Sequence, residues 1–270
     1  MSDQVINPGK ILYNRLSEYF KKPEKYGSRN MDFIQVADNL FGGSQEILDA
    51  FQSSILNYVV RRLIYMTKAL VKLDSEITRE EWEREFEEKV LSRLLVPAPL
   101  IEPVKGLLWQ SIKENRERGE GAKNRVYKKS EEENRPCNVC GRSVSYKKDQ
   151  SPKASLDHIW PVELGGSTVD DNLVILCDAC NKLKCNHIDA FDFHFERSMT
   201  VLEKDHPQFE KFFREGRTFS ILWHTHGKCI KCKHPVRVDT SKNFSESLIK
   251  IDPESDFFHF FNSGFECSNH

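Results

Sequence analysis

Between Cys137 and Lys184 the chain carries two C-x2-C pairs, Cys137 with Cys140 and Cys177 with Cys180, around an Asp157-His158 pair and two asparagines, Asn172 and Asn181. Four thiolates in this spacing can close a tetrahedral structural zinc site at roughly 2.3 Å per Zn–S bond. The gap between the pairs exceeds that of a simple zinc ribbon, so a hairpin-sized insert must sit between them. That insert holds the carboxylate, imidazole and amide groups from which a metal-dependent hydrolytic site can be built.

The elements that must position these groups follow from the local pattern. Ala154 to Asp157 reads as a short strand, and Leu173 to Leu176 as a second, apolar throughout and so buried on both faces. Pro161, Gly165 and Gly166 break regular structure between them and allow a long loop. Asp178 is placed to cap a helix in which Asn181 and Lys184, three apart, share a face. The expected unit is β-β-α, pinned by one zinc.

The order C-x2-C, D-H-I-x-P, G-G, D-N-L and L-C-x2-C-N-x2-K resembles the HNH family of nucleases, the ββα-metal fold, in its four-cysteine form. The resemblance covers Cys137 to Lys184, under a fifth of the chain. It implies that His158 is the general base that takes a proton from the attacking water, a task suited to imidazole with its unperturbed pKa of about 6.5. It implies Asp157 and Asn181 as ligands of a catalytic Mg²⁺ or Mn²⁺, which prefer oxygen donors and keep open positions for phosphate. Asn181 stands where other members carry histidine, a common variant. Asn172 matches the central asparagine that steadies the loop and orients the histidine, and Lys184 would bring positive charge to the phosphate. Expected products carry a 5′-phosphate and a 3′-hydroxyl. DNA is favoured over RNA as the polymer, and restriction or anti-phage defence is the expected setting. A zinc module that binds nucleic acid without cutting it is the competing expectation, and a nuclease held inactive until a partner signal is the third.

Composition limits these readings. A formal net charge of −1 excludes a protein that coats nucleic acid through global positive charge, so attraction must be local. Lys123, Arg125, Lys128, Lys129, Arg135, Arg142, Lys147, Lys148 and Lys153 supply a basic strip, of which Lys147, Lys148 and Lys153 lie nearest the motif. The part before Pro136 can equally be a solvated linker. Eight cysteines, largely in C-x2-C pairs, with no signal peptide and no apolar run of membrane-spanning length, indicate a reducing compartment and a cytoplasmic protein.

Upstream the chain reads as helical. Ser44 can cap a long helix with Ile47, Leu48, Phe51, Ile55, Tyr58, Val59, Leu63, Met66 and Leu70 on its packing face. The capping box Thr78-x-x-Glu81 starts another, with Trp82, Phe86, Val90 and Leu94 in a stripe that Pro97 and Pro99 end. A further helix is expected from Glu102 to about Arg118, before a charged linker opens at Gly119 to Gly121. This domain could recognise substrate, form homo-oligomers or dock a partner protein.

Downstream, Phe191, Phe193, His194, Phe195, Phe209, Phe212 and Phe213 are expected to cover the back of the ββα unit. Cys229, Cys232, Cys267 and His270 could ligate a second zinc, with His224, His226 or His234 as substitutes for the last. Cys185 is left over as a free thiol. At 270 residues the chain has room for two or three units. The expected class is α+β and mainly helical: a helical domain over 1–120, a zinc-pinned ββα nuclease unit over 121–200, and a small zinc-knuckle extension over 201–270.

Overall fold

The computed structural model describes residues 7–21, 45–73, 76–91, 98–113, 120–147, 150–192, 219–234, 236, 248–251 and 263–267. Two compact units are present, one of Met1–Glu120 with His158–Asn172, the other of Gly121–Asp157 with Leu173–His270. The described residues are mostly helical with two small two-stranded sheets, in keeping with the expected class. No helix among them is long and apolar enough to cross a membrane.

In the first unit, α1 (Pro8–Lys21) packs on α2 (Gln45–Leu73) and α4 (Ala98–Lys113), while α2 also meets α3 (Arg79–Lys89). Leu12 and Leu16, Val60 and Ile64, Trp82 and Phe86, and Val104 and Leu108 form its core. Helix α2 is apolar on more than one side, so periodicity misplaced its buried stripe. Leu56, Val60, Leu63, Ile64 and Thr67 face inward, whereas Tyr58 is 40% exposed. Ser44, Leu94 and Pro97, and the side chains of Ile47 and Leu48, lie outside the described residues.

The capping box of α3 forms as expected: Glu81 N donates to Thr78 Oγ1 at 3.3 Å and Thr78 N donates to Glu81 Oε2 at 2.9 Å. Pro99, expected to stop that helix, opens the next one, because the first helical turn leaves its N–H groups unpaired and tolerates proline. Helix α4 therefore starts at Ala98 rather than Glu102.

In the second unit the expected charged linker is instead a helix, α5 (Glu120–Glu132). Its apolar positions Ala122 and Val126, four apart, pack against Leu156 and Leu173. Strands β1 (Ala154–His158) and β2 (Leu173–Cys177) form one sheet, and β2 runs directly into α6 (Asp178–Lys184). Cys177, not Asp178, is the N-cap of α6, and its sulfur accepts from Cys180 N at 3.4 Å.

Near the C-terminus β3 (Leu248–Lys250) pairs antiparallel with β4 (Ser263–Phe265), Leu248 opposite Phe265. Phe219, Ile221, Leu222, Cys229, Val236 and Phe265 share a single core with Cys137, Cys140, Cys177 and Cys180. Gly227, at φ +63, passes so close to the first knuckle that a Cβ there would sit 2.4 Å from the Cys140 carbonyl oxygen.

Candidate active site and metal centres

The two halves of the cysteine motif meet. The sulfurs of Cys137, Cys140, Cys177 and Cys180 are buried and lie within 4.8 Å of one another, with Cys140 and Cys177 3.9 Å apart. Bond lengths of roughly 2.3 Å in a tetrahedron require sulfurs about 3.8 Å apart, so the donor set and its spacing fit zinc. Hydrogen bonds from Cys137, then Cys177 and Cys180, hold the Cys140 thiol far below its ordinary range, while the Cys180 thiol is pushed far above. A buried cluster of four thiols cannot ionise fully without a cation among them. Arg142 adds one charge from outside, its Nε donating to Cys140 Sγ at 3.3 Å.

A second cluster joins Cys229, Cys232 and Cys267, with Cys232 and Cys267 sulfurs 3.5 Å apart. Donation from the Cys232 backbone N–H lowers the Cys229 thiol to about 6 against the opposing effect of desolvation, helped by the N–H groups of Cys267 and Lys231. Three sulfurs with such N–H support also suit zinc. His270 lies outside the described residues. Of the suggested substitutes, His234 offers its backbone to this knuckle, its carbonyl accepting from Cys229 N at 2.8 Å.

Asp157, near the end of β1, faces Lys184 in the last turn of α6, with Nζ 2.8 Å from Oδ2. The lysine side chain is 3% exposed and lies over the Trp223 ring. The ion pair meets Asp157 Oδ2 by charge, and no other donor among the described residues reaches that oxygen. Asn181, one turn before Lys184, donates its Nδ2 to Ser155 Oγ at 2.7 Å. That bond leaves the amide oxygen as the atom able to meet a cation. A carboxylate oxygen and an oriented amide oxygen are donors that fit Mg²⁺ or Mn²⁺.

His158 and Asn172 bound the loop that belongs with the helical unit. His158 Nε2 lies 3.0 Å from Thr168 Oγ1. Asn172 is 2% exposed and holds the loop shut: its Oδ1 accepts from Trp160 N at 2.8 Å, and its Nδ2 donates to the carbonyls of Trp160 and Ser167, each at 2.9 Å. Ile159 N donates to Asn172 O at 2.8 Å and closes the neck. Backbone–side-chain ties of this kind fix loop shape.

Lys147 and Lys153 are exposed, and Lys148 lies outside the described residues. Sequence reasoning missed Ser155, Thr168 and Ser167, which act by holding other residues, because short hydroxyl side chains near a motif carry no spacing signal of their own; Arg142, read as part of the basic strip, donates to Cys140.

No curated protein and no solved structure matches the chain. The family model described as HNH endonuclease matches residues 137–196. The segment holding the buried four-cysteine cluster, β1, the asparagine-locked loop, β2 and α6 thus belongs to the HNH endonuclease family, in a four-cysteine form that fits zinc.

Proposed function

We propose that this protein is a metal-dependent endonuclease that hydrolyses phosphodiester bonds of DNA with His158 as general base. The observation that supports this reading most is that β1 and α6 carry two oxygen donors: the Asp157 carboxylate, directly before His158 and paired with Lys184, and the Asn181 amide, whose Nδ2 is engaged by Ser155. Carboxylate and amide oxygens are the donors that Mg²⁺ and Mn²⁺ prefer.

Bound at Asp157 and Asn181, Mg²⁺ or Mn²⁺ supplies charge stabilisation to the scissile phosphate and its departing oxygen. His158 accepts a proton from water as the water oxygen attacks phosphorus, and Thr168 fixes the plane of the ring that does so. The bond from phosphorus to the 3′ oxygen breaks and that oxygen takes a proton from solvent water, giving a 5′-phosphate and a 3′-hydroxyl. Asn172 acts indirectly by locking the loop. Lys184 holds Asp157 and brings one positive charge near the phosphate. The four buried cysteines would hold a structural zinc, and Cys229, Cys232 and Cys267 would hold a second, for which the sequence offers His270 as a fourth donor. Restriction or anti-phage defence is the setting that the family resemblance favours.

The test incubates the protein and His158→Ala with plasmid, linear duplex, single-stranded DNA and RNA, in Mg²⁺, Mn²⁺ or chelator. Cleavage of DNA by the parent alone, and only with added cation, is the expected result. Retention of nucleic acid without cleavage under any cation would make the chain a zinc module that delivers nucleic acid to a partner.

A further inference from the structure

The loop between β1 and β2 is stitched to the start of α1, far outside the matched family segment. Asn7 precedes Pro8 at the helix N-terminus and sits in the left-handed region at φ 56, which asparagine tolerates better than most residues. An asparagine in this place ordinarily caps its own helix. Here Oδ1 instead accepts from Ser167 N at 2.7 Å, and Asn7 N donates back to Ser167 Oγ at 3.3 Å. Two residues on, Gly9 N donates to Gly165 O at 3.3 Å, and a Cβ on Gly9 would fall 1.7 Å from the Leu164 carbonyl oxygen. Tyr13 then meets the Trp160 ring edge-on at 5.4 Å. The first two turns of α1 thus form a wall of the loop.

Ser167 is the junction of this arrangement. Its carbonyl accepts from Asn172 Nδ2, its N–H and Oγ are held by Asn7, and the next residue, Thr168, contacts the His158 imidazole. We propose that Asn7 is a positioning residue for His158, acting through Ser167 and Thr168, so that the helical unit supplies part of the base's support. This inference rests on the endonuclease reading for its kinetic consequence, though not for its structural one.

The experiment uses the full zinc-loaded chain and compares wild type with Asn7→Gly, Asn7→Asp and Thr168→Val. Glycine keeps the left-handed backbone and deletes the amide; aspartate keeps the acceptor for Ser167 N–H. Ring-nitrogen NMR of His158 reports the tautomer and orientation of the imidazole, and kcat and KM on plasmid DNA report its use. In Asn7→Gly the ring signals are expected to shift to an averaged tautomer mixture, with kcat down by about 10- to 100-fold at nearly unchanged KM, the scale of a misplaced catalytic group. Asn7→Asp is expected to stay within about threefold of wild type, and Thr168→Val to match Asn7→Gly. Wild-type ring signals in Asn7→Gly would overturn the proposal, as would equal loss in Asn7→Asp. Should Asn7→Gly not fold, Thr168→Val decides, since unchanged ring signals there break the route. A wild-type chain that cuts nothing overturns the endonuclease reading, and the NMR comparison still decides the positioning role.

Discussion

Lys184 Nζ lies 2.8 Å from Asp157 Oδ2, in a pair whose lysine is almost wholly enclosed. The ammonium stands against the same oxygen that the endonuclease reading gives to the divalent cation. Two cations facing one carboxylate repel, so Lys184 should weaken metal binding while keeping the empty site from carrying a bare buried charge.

Lys184→Met, similar in length but uncharged, is therefore expected to bind Mn²⁺ about tenfold more tightly, equivalent to about 1.4 kcal/mol. Without divalent cation the same variant should be less stable by about 3 kcal/mol, the scale for removing one partner of a buried pair. Calorimetric Mn²⁺ titration and urea unfolding with and without the cation measure both. Weaker Mn²⁺ binding by Lys184→Met would show that the lysine organises the ligand rather than competing for it.

The ββα segment was legible because its constraints are local or chemically specific. C-x2-C spacing, the Asp157-His158 pair, the apolar run of β2 and the Thr78-x-x-Glu81 box each announce one geometry. Other features stayed hidden for physical reasons. Lys184 reads as a solvated helical lysine until Trp223 and Asp157 enclose it, and Trp223 lies 39 positions away in the chain. The stretch around Lys123 to Lys129 reads as linker because its apolar residues are few, yet Ala122 and Val126 pack against Leu156 and Leu173, and Tyr127 against Tyr146, once tertiary packing acts. Asn7-Pro8-Gly9 reads as a helix start; its bonds to a loop 160 positions away carry no local signature.

Metal content should separate the two cysteine clusters. The wild-type chain is expected to carry two zinc ions, Cys232→Ser one, and Cys177→Ser to be poorly folded, because Cys177 also caps α6 and is fully buried. Elemental analysis by mass spectrometry with circular dichroism reads each outcome. A single zinc in wild type, unchanged in Cys232→Ser, would remove the second site.

Gly227 tests whether the C-terminal segment is part of the nuclease core. Its φ of +63 strains any L side chain, and a Cβ would meet Cys140 O at 2.4 Å. Gly227→Ala should cost about 2 kcal/mol or more in urea unfolding and speed zinc loss to a chelator. An unchanged midpoint would mean the segment is not held against the knuckle.

The capping box gives a pH dependence of defined sign. The Thr78 backbone N–H, then the Thr78 hydroxyl, lower the Glu81 carboxyl from 4.5, so the folded state binds its proton less readily than the unfolded state. Its stabilising effect is complete above 4.5 and is lost as pH falls through the lower folded value. Wild type should melt above Glu81→Gln at pH 7, and the gap should close on acidification. A gap that widens as pH falls would reverse the assignment.

Helix α5 carries a charged face whose attachment is known. Ala122 and Val126 turn inward against Leu156 and Leu173, leaving Lys123, Arg125, Lys128 and Lys129 exposed. Arg125 and Lys129 are four apart and share one side of the helix. With a net charge of only −1, the whole chain offers little long-range attraction to a polyanion, so any such attraction would come from a local face. If Arg125 and Lys129 each neutralise one phosphate, the double alanine variant should lower the slope of log K against log salt by about 2 on duplex DNA. Binding at low salt should weaken to a similar degree on unrelated sequences, because phosphate contacts carry no base information. Fluorescence anisotropy across a salt series measures both. A parallel line, displaced or not, would show that α5 does not touch the backbone and return the task to Lys147 and Lys153.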